Sequence, residues 1–413
     1  MLTGLPIHHH VRRPRPANRG LRLTWSNDVL AASIAIGGLA LLPMLGSVAA
    51  LAFLAAGMGL IVTGPDSTLR ALRREWLVVA MAVWCLASFA WSDYPSVTIR
   101  YGLQLLLTVL IAIVICQRIP PRILIKIVLA THLVAGLASL ASGRAREVGG
   151  FLGIYGSKNA LSAAMGLLFL VALTVLLDRR MPRIWRLLGA VGSALGLMLL
   201  VMGQSTGALA AVIAAILALG PILLLQRLTP PARLVLTVLT LVLMASAAVM
   251  LSTMVDTLAL MFLDATGKDV TLTGRTDLWR IAFDEISERP FFGAGFQAVW
   301  VHGNPLAEEL WEMFGIKSRG GFHFHNTLIS NAVEIGLIGA AIQGTIFFIA
   351  LWYSLNWTVR SHSGPSLFMA LFMVRQFTSM GVEVVYFFQF DMLTLLTIAA
   401  LYYGRSYRLS QGG

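Results

Sequence analysis

The chain has 413 residues, 57% of them hydrophobic and 12% charged, with a mean hydropathy of +0.80. That exceeds what a water-soluble core requires and matches an all-α polytopic membrane protein. The net charge of +12 sits mostly in short loops between apolar runs, so it reads as topological and no nucleic acid is expected as a partner.

Residues 1–28 form a basic tail, with His8, His9 and His10 followed by Arg12, Arg13, Arg15, Arg19 and Arg22. No short apolar region with a small-residue cleavage site follows, so no cleavable signal is expected. The three histidines are read as part of an unstructured tail rather than as a metal-site fragment. Apolar runs of roughly 16 to 22 residues then recur, the length a bilayer of about 30 Å demands of helices. About twelve transmembrane helices are predicted, near 29–46, 47–63, 76–91, 101–116, 127–142, 160–177, 187–203, 207–225, 234–251, 327–355, 366–383 and 388–403. Nine of them occupy 29–251, three occupy 327–404, and 405–413 is a second tail. The first two are divided at Pro43 to Ser47, because one span of that length would overshoot the bilayer. The tenth is too long to be one straight span, which places its first turns, through Glu334, at the surface or along a cavity. Cys85 and Cys116 fall inside apolar runs and read as small buried hydrophobes.

Arg70, Arg73 and Arg74, then Arg118, Arg122 and Lys126, then Arg179, Arg180, Arg183 and Arg186, then Arg227 and Arg233, then Arg360, and finally Arg405 and Arg408 all fall on the side of the basic N-terminus. The positive-inside rule puts that side in the cytoplasm, with both termini inside and the long polar interval of 252–326 outside. Within that interval, Thr276 to Arg289 reads as an amphipathic helix with Trp279, Phe283 and Ile286 on one stripe, stopped by Pro290. Pro290 to Phe296 is a Gly-rich aromatic turn, and Leu306 to Met313 reads as a second short helix. Arg275, Arg280, Lys317, Arg319, His323 and His325 crowd into this one element, where a passive surface cap would need no such cations.

The blocks GRTDLW, ERPFFGAGF and HNTLISNAVEIGLIG, in that order, resemble the C-terminal signature of the O-antigen ligase and polymerase superfamily, often called Wzy-C. His325-Asn326 followed by Gly336 fits the family's His-Asn-to-Gly motif, although its later threonine is Gly339 here. The segments AWSDYPSVTIRYGLQLLLTVLIA and IYGSKNALSAAMGL are similar to exopolysaccharide polymerases of the succinoglycan type. The resemblance implies a metal-independent, inverting glycosyltransferase without a cofactor, in a fold planned like the large lipid-linked-sugar transferases. Donor and acceptor would be glycans on undecaprenyl diphosphate at the outer face of a bacterial inner membrane, with a chain-length regulator and a flippase as partners. The family's phosphate-binding arginine is matched by Arg275 and its catalytic histidine by His325.

Elementary chemistry agrees. Arginine's planar, permanently charged fork suits the phosphate charge that develops on a leaving diphosphate. Histidine titrates near neutrality and suits deprotonation of an acceptor hydroxyl; a base opposite the leaving group inverts the anomeric centre. A structural histidine is the plainer alternative for His325, and a metal pair with His323 lacks further ligands at suitable spacing. Where many relatives carry Ser-Arg, this chain reads Met202-Gly203-Gln204-Ser205-Thr206, so a second cation must come from elsewhere. Lys158, beside Asn159 at the mouth of the sixth span, is preferred, unless it merely snorkels to headgroups; Arg280, Arg319 and Arg100 stand behind it. Asn326 is a further candidate for substrate contact. Arg375 lies inside the eleventh span, where a charge costs at least about 2.5 kcal/mol, so it lines a cavity or pairs with Glu383 or Glu334. A polymerase is favoured over a ligase that moves a finished glycan to lipid A core or protein. A transporter or flippase would show matched internal repeats, and none is visible.

Overall fold

The computed structural model describes residues 26–236 apart from 148, residue 239, and 275–411 apart from 321 and 386. The N-terminal tail, nearly all of the expected ninth span and the first part of the long polar interval lie outside the described residues. Those described form helices and loops, with one isolated bridge between Ala145 and Phe151. In chain order the helices are α1 (Asn27–Leu45), α2 (Ser47–Val62), α3 (Pro65–Arg74), α4 (Trp76–Ala87), α5 (Pro95–Arg118), α6 (Pro121–Ser142), α7 (Lys158–Leu177), α8 (Arg183–Met202), α9 (Thr206–Arg227), α10 (Arg275–Glu288), α11 (Pro305–Met313), α12 (Thr327–Ser361), α13 (Gly364–Met380) and α14 (Met392–Gln411).

Helices are the outcome that physics allows an apolar run in lipid, where no water satisfies the backbone. Among the described residues seven are long and apolar enough to cross a membrane, namely α1, α5, α6, α7, α8, α9 and α12. An eighth arises if α2 and α3, bent by 102°, count as one broken span. The remaining expected spans are helical too, as α4, α13 and α14, but are shorter or carry more polar residues. The division of the first two spans falls at Gly46, whose φ of +54° turns the chain between α1 and α2. Glycine also sets helix spacing: a Cβ at Gly189 or Gly196 of α8 would lie 2.8 Å from the backbone of α7, so those two helices touch main chain to main chain.

At one end of the bundle the N-termini of α7, α9 and α12 and the C-terminus of α13 meet a cap built from α10 and α11. The cap has its own small core of Leu278, Ala282, Val299, Leu310, Phe324 and Val333. Its buried face differs from the expected stripe, because Leu278 and Ala282 point inward while Phe283 is 56% exposed. Packing against α12, rather than the bilayer, decides which face of α10 is covered.

The long α12 is interrupted at Gly336, with φ +71° and ψ 174°. A break strands carbonyls on one side and N–H groups on the other. The Gly-rich turn supplies both partners: Ala294 N–H donates to the Val333 carbonyl (2.9 Å), Gly295 N–H to the Glu334 carbonyl (2.7 Å), and Leu337 N–H donates to the Pro290 carbonyl (2.8 Å). Trp84 Nε1 donates to the Ile335 carbonyl at 3.0 Å, and Trp91 Nε1 to the Phe292 carbonyl at 2.9 Å. Two blocks some forty residues apart therefore form one hydrogen-bonded unit, and the tenth expected span is broken near its start.

Candidate active site

His325 sits immediately before α12 with φ +50°, a conformation that costs a non-glycine residue energy and persists where the surroundings hold it. Several contacts do so here. Asn326 caps α12, its Oδ1 accepting from the N–H groups of Leu328 (3.0 Å) and Ile329 (3.1 Å). Trp279 Nε1 of α10 donates to the Phe324 carbonyl at 2.7 Å, and Thr327 Oγ1 donates to the Glu383 carbonyl at 2.7 Å. The expected role of Asn326 is thus partly redirected, since its carbonyl oxygen serves the helix cap.

Glu383 was expected inside the eleventh span as a partner for Arg375. Instead α13 stops at Met380, and residues 381–385 run as an irregular segment that carries Glu383 to the histidines. Asn159 Nδ2 donates to Glu383 Oε1 at 3.1 Å. The other carboxylate oxygen lies 3.3 Å from His323 Nε2 and 3.8 Å from His325 Nδ1. Burial would raise the Glu383 carboxyl, but the two imidazoles beside it outweigh that and hold it down at about 2.

Two imidazoles and a carboxylate, with ligand atoms within 4.8 Å of one another, have the composition of a metal site. Hydrogen bonding argues for a different use. His323 Nδ1 accepts the His325 N–H at 3.1 Å, so neutral His323 carries its proton on Nε2, the atom facing Glu383, and that nitrogen has no lone pair left for a cation. His325 Nδ1 is buried without a hydrogen-bond partner, with Glu383 as the nearest charge. With a proton on Nδ1, directed at that carboxylate 3.8 Å away, Nε2 is left as an acceptor.

His325 and Glu383 border a cleft of about 520 Å³, lined also by Lys158 and Asn159 from α7, Gln204, Ser205 and Thr206 where α8 passes to α9, and Leu278 from α10. A neighbouring cavity of about 300 Å³ shares Asn159, Ser205, His325 and Glu383 and reaches down to Arg375 and Ser379 of α13. Lys158 makes no ion pair among the described residues. Arg375 is 2% exposed and donates to Gln376 Oε1 (2.6 Å) and the Ala163 carbonyl (3.1 Å). It therefore borders the cavity, and the expected pairing with Glu383 or Glu334 gives way to these uncharged partners. Glu334 instead accepts the Gln297 N–H at 3.0 Å. Two other candidates are drawn elsewhere: Arg280 pairs with Asp277 at 3.5 Å and Arg319 with Glu308 at 3.0 Å, and neither lines the cleft. Arg275 opens α10, and its side chain lies outside the described residues.

The sequence reading named His325, Lys158, Asn159 and Arg375, and these border two neighbouring cavities that share Asn159 and His325. It missed Glu383 as a site residue. One signal was available, since Glu383 is the sole carboxylate between Glu334 and Asp391. The Gln204–Thr206 turn was noted for its missing arginine, and it lines the cleft with neutral donors instead.

A bundle of apolar helices with a polar, histidine-bearing cleft beneath a cap at one end describes a multi-pass membrane protein. Residues 191–344, from α8 through the break at Gly336, match the O-antigen ligase family. Over 331 residues the chain is 34% identical to the exopolysaccharide production protein ExoQ of Rhizobium meliloti (strain 1021), which covers 75% of this chain and 73% of the relative. The chain belongs to this O-antigen ligase and ExoQ-type polymerase family.

Proposed function

We propose that the protein is an inverting, metal-independent glycosyltransferase of the bacterial inner membrane that joins undecaprenyl-diphosphate-linked oligosaccharide repeats into an exopolysaccharide or O-antigen chain. The observation that carries this reading is the pairing of His325 with Glu383 on a cleft whose rim bears Lys158. In the step envisaged, the acceptor hydroxyl gives its proton to His325 Nε2 while its oxygen attacks the anomeric carbon. The bond from that carbon to the diphosphate oxygen breaks, and undecaprenyl diphosphate departs with the electron pair. Glu383 holds the imidazole and stabilises the imidazolium that forms. Arg275, the first residue of α10, and Lys158 take up the negative charge gathering on the leaving group. Similarity to ExoQ, an exopolysaccharide production protein, favours polymerisation over transfer to lipid A core or protein.

The test is in vitro, with wild type and His325→Ala purified in detergent and given an undecaprenyl-diphosphate-linked oligosaccharide in excess chelator. A ladder of products from wild type that disappears in the variant is the expected result. Donor consumption only after a different acceptor is added would identify a ligase. Restoration of a chelator-sensitive activity by a divalent ion would overturn the metal-free chemistry, and transport across vesicles without consumption would overturn the enzyme.

A further inference from the structure

At the end of the bundle opposite the cleft, about 30 Å away along the 20 residues of α7, lies a crevice of about 360 Å³ between α7, α9 and α13. Its mouth carries Arg179, Arg180 and His362, and its wall is Leu177, Leu219, Leu223 and Leu367. Elsewhere at this end Arg74 and Arg405 share Glu75, and Arg118 pairs with Asp28. At the crevice mouth neither the Arg179 nor the Arg180 guanidinium forms an ion pair among the described residues. The carboxylate nearest in sequence, Asp178, is spent on the backbone, its Oδ1 accepting from Arg180 N–H (2.9 Å) and its Oδ2 from Gly364 N–H (3.0 Å). That clasp fixes the α7–α8 linker against the start of α13 and leaves the two arginines exposed beside it. On the wall, Leu177 is 51% and Leu223 43% exposed.

We infer that this crevice binds an anionic phospholipid. A phosphate group matches the uncompensated arginines, which pair with phosphate oxygens through their planar forks. Acyl chains match the exposed leucines below. A ligand with both parts is abundant in the bilayer this protein spans, and basic pockets between transmembrane helices are suited to such headgroups. A free phosphate or nucleotide would satisfy the mouth and leave the leucine wall bare.

Native mass spectrometry tests this on the full chain in detergent supplemented with phosphatidylglycerol, cardiolipin or phosphatidylcholine. Wild type should retain the anionic lipids over phosphatidylcholine. Each arginine near a membrane surface is worth about fivefold in affinity, so Arg179→Ala combined with Arg180→Ala should lose roughly twentyfold. Arg122→Ala combined with Lys126→Ala removes equal charge from the same end outside the crevice and should keep the preference. An equal loss in that control, or equal retention of phosphatidylcholine by wild type, would overturn the site. Displacement of the lipid by millimolar inorganic phosphate alone would assign the crevice to a free anion instead. Arg179→Gln and Arg180→Gln, singly, give the same readout if the double alanine variant aggregates.

Discussion

Gly336 of α12 faces the main-chain carbonyl of Phe291 across a gap that no Cβ could enter. The two residues lie at the crossing of the family's two glycine-bearing blocks, and the neighbour is backbone, which has no rotamer to move aside. Gly336 also holds φ +71°, which costs a side-chain-bearing residue on the order of 1–3 kcal/mol. Gly336→Ala should therefore lower the melting temperature by several degrees and impair activity. Gly344 of the same helix has nothing within 4 Å of a built Cβ, so Gly344→Ala should be neutral or stabilising by up to about 1 kcal/mol. Melting curves of the two variants decide the matter; similar shifts would refute the steric account.

Removing His325 as a general base should cost about 10²–10⁴ in kcat. Glu383→Gln should cost less, with kcat falling and KM nearly unchanged, because the carboxylate orients the ring and contacts no substrate in the step proposed. A Glu383→Gln effect confined to KM would place the carboxylate on the substrate instead.

The same carboxylate sets a pH signature. Its folded pKa of about 2 lies below the ordinary value of 4.5. Ionised Glu383 thus stabilises the fold above about pH 4.5, and that contribution is lost as pH falls from there through the folded value. Glu383→Gln lacks it at every pH. Measured by thermal melting, the gap between wild type and the variant should be full near neutrality and close as the pH drops below about 4.5; a gap that opens on acidification would contradict the assignment.

Arg275→Lys keeps the charge and loses the fork, so kcat/KM should drop about a hundredfold while membrane insertion is unchanged. Lys158→Gln should lose about tenfold, as expected of a point charge at the rim of the cleft. Wild-type kinetics in either variant would remove that residue from the diphosphate site.

Orientation is open to a simple assay. A reporter fused after Gly303, in the loop before α11, should read extracytoplasmic if the arginine-rich ends face the cytoplasm. A cytoplasmic reading would invert the whole arrangement.

The spans were legible in the sequence because lipid imposes one solution on an apolar run, and their ends were legible where glycine, proline or charge intervened. The eleventh span shows where this stops. Gly381 marks the true end of α13, yet Val382, Val384 and Val385 sustain the apolar character and draw a hydropathy reading on as far as Glu383. The histidine was legible through its motif. Glu383 was not, because it reaches the histidine from 58 residues away in the chain, and contacts between distant segments leave no periodicity to read. The stripe of α10 was misplaced for a related reason: the surface it packs on is half of α12, which hydropathy treats as membrane.

The interruption at Gly336 also determines how force travels through the protein. An unbroken helix transmits displacement along its axis through its own ladder of hydrogen bonds. Here the ladder is severed eleven residues after His325, and the two halves are spliced through Pro290, Ala294 and Gly295. A push on the membrane-embedded half of α12 reaches the histidine by way of this external strut. The proline-and-glycine turn is thus a mechanical coupling, and its stiffness governs how faithfully motion in the bundle is registered at the cleft.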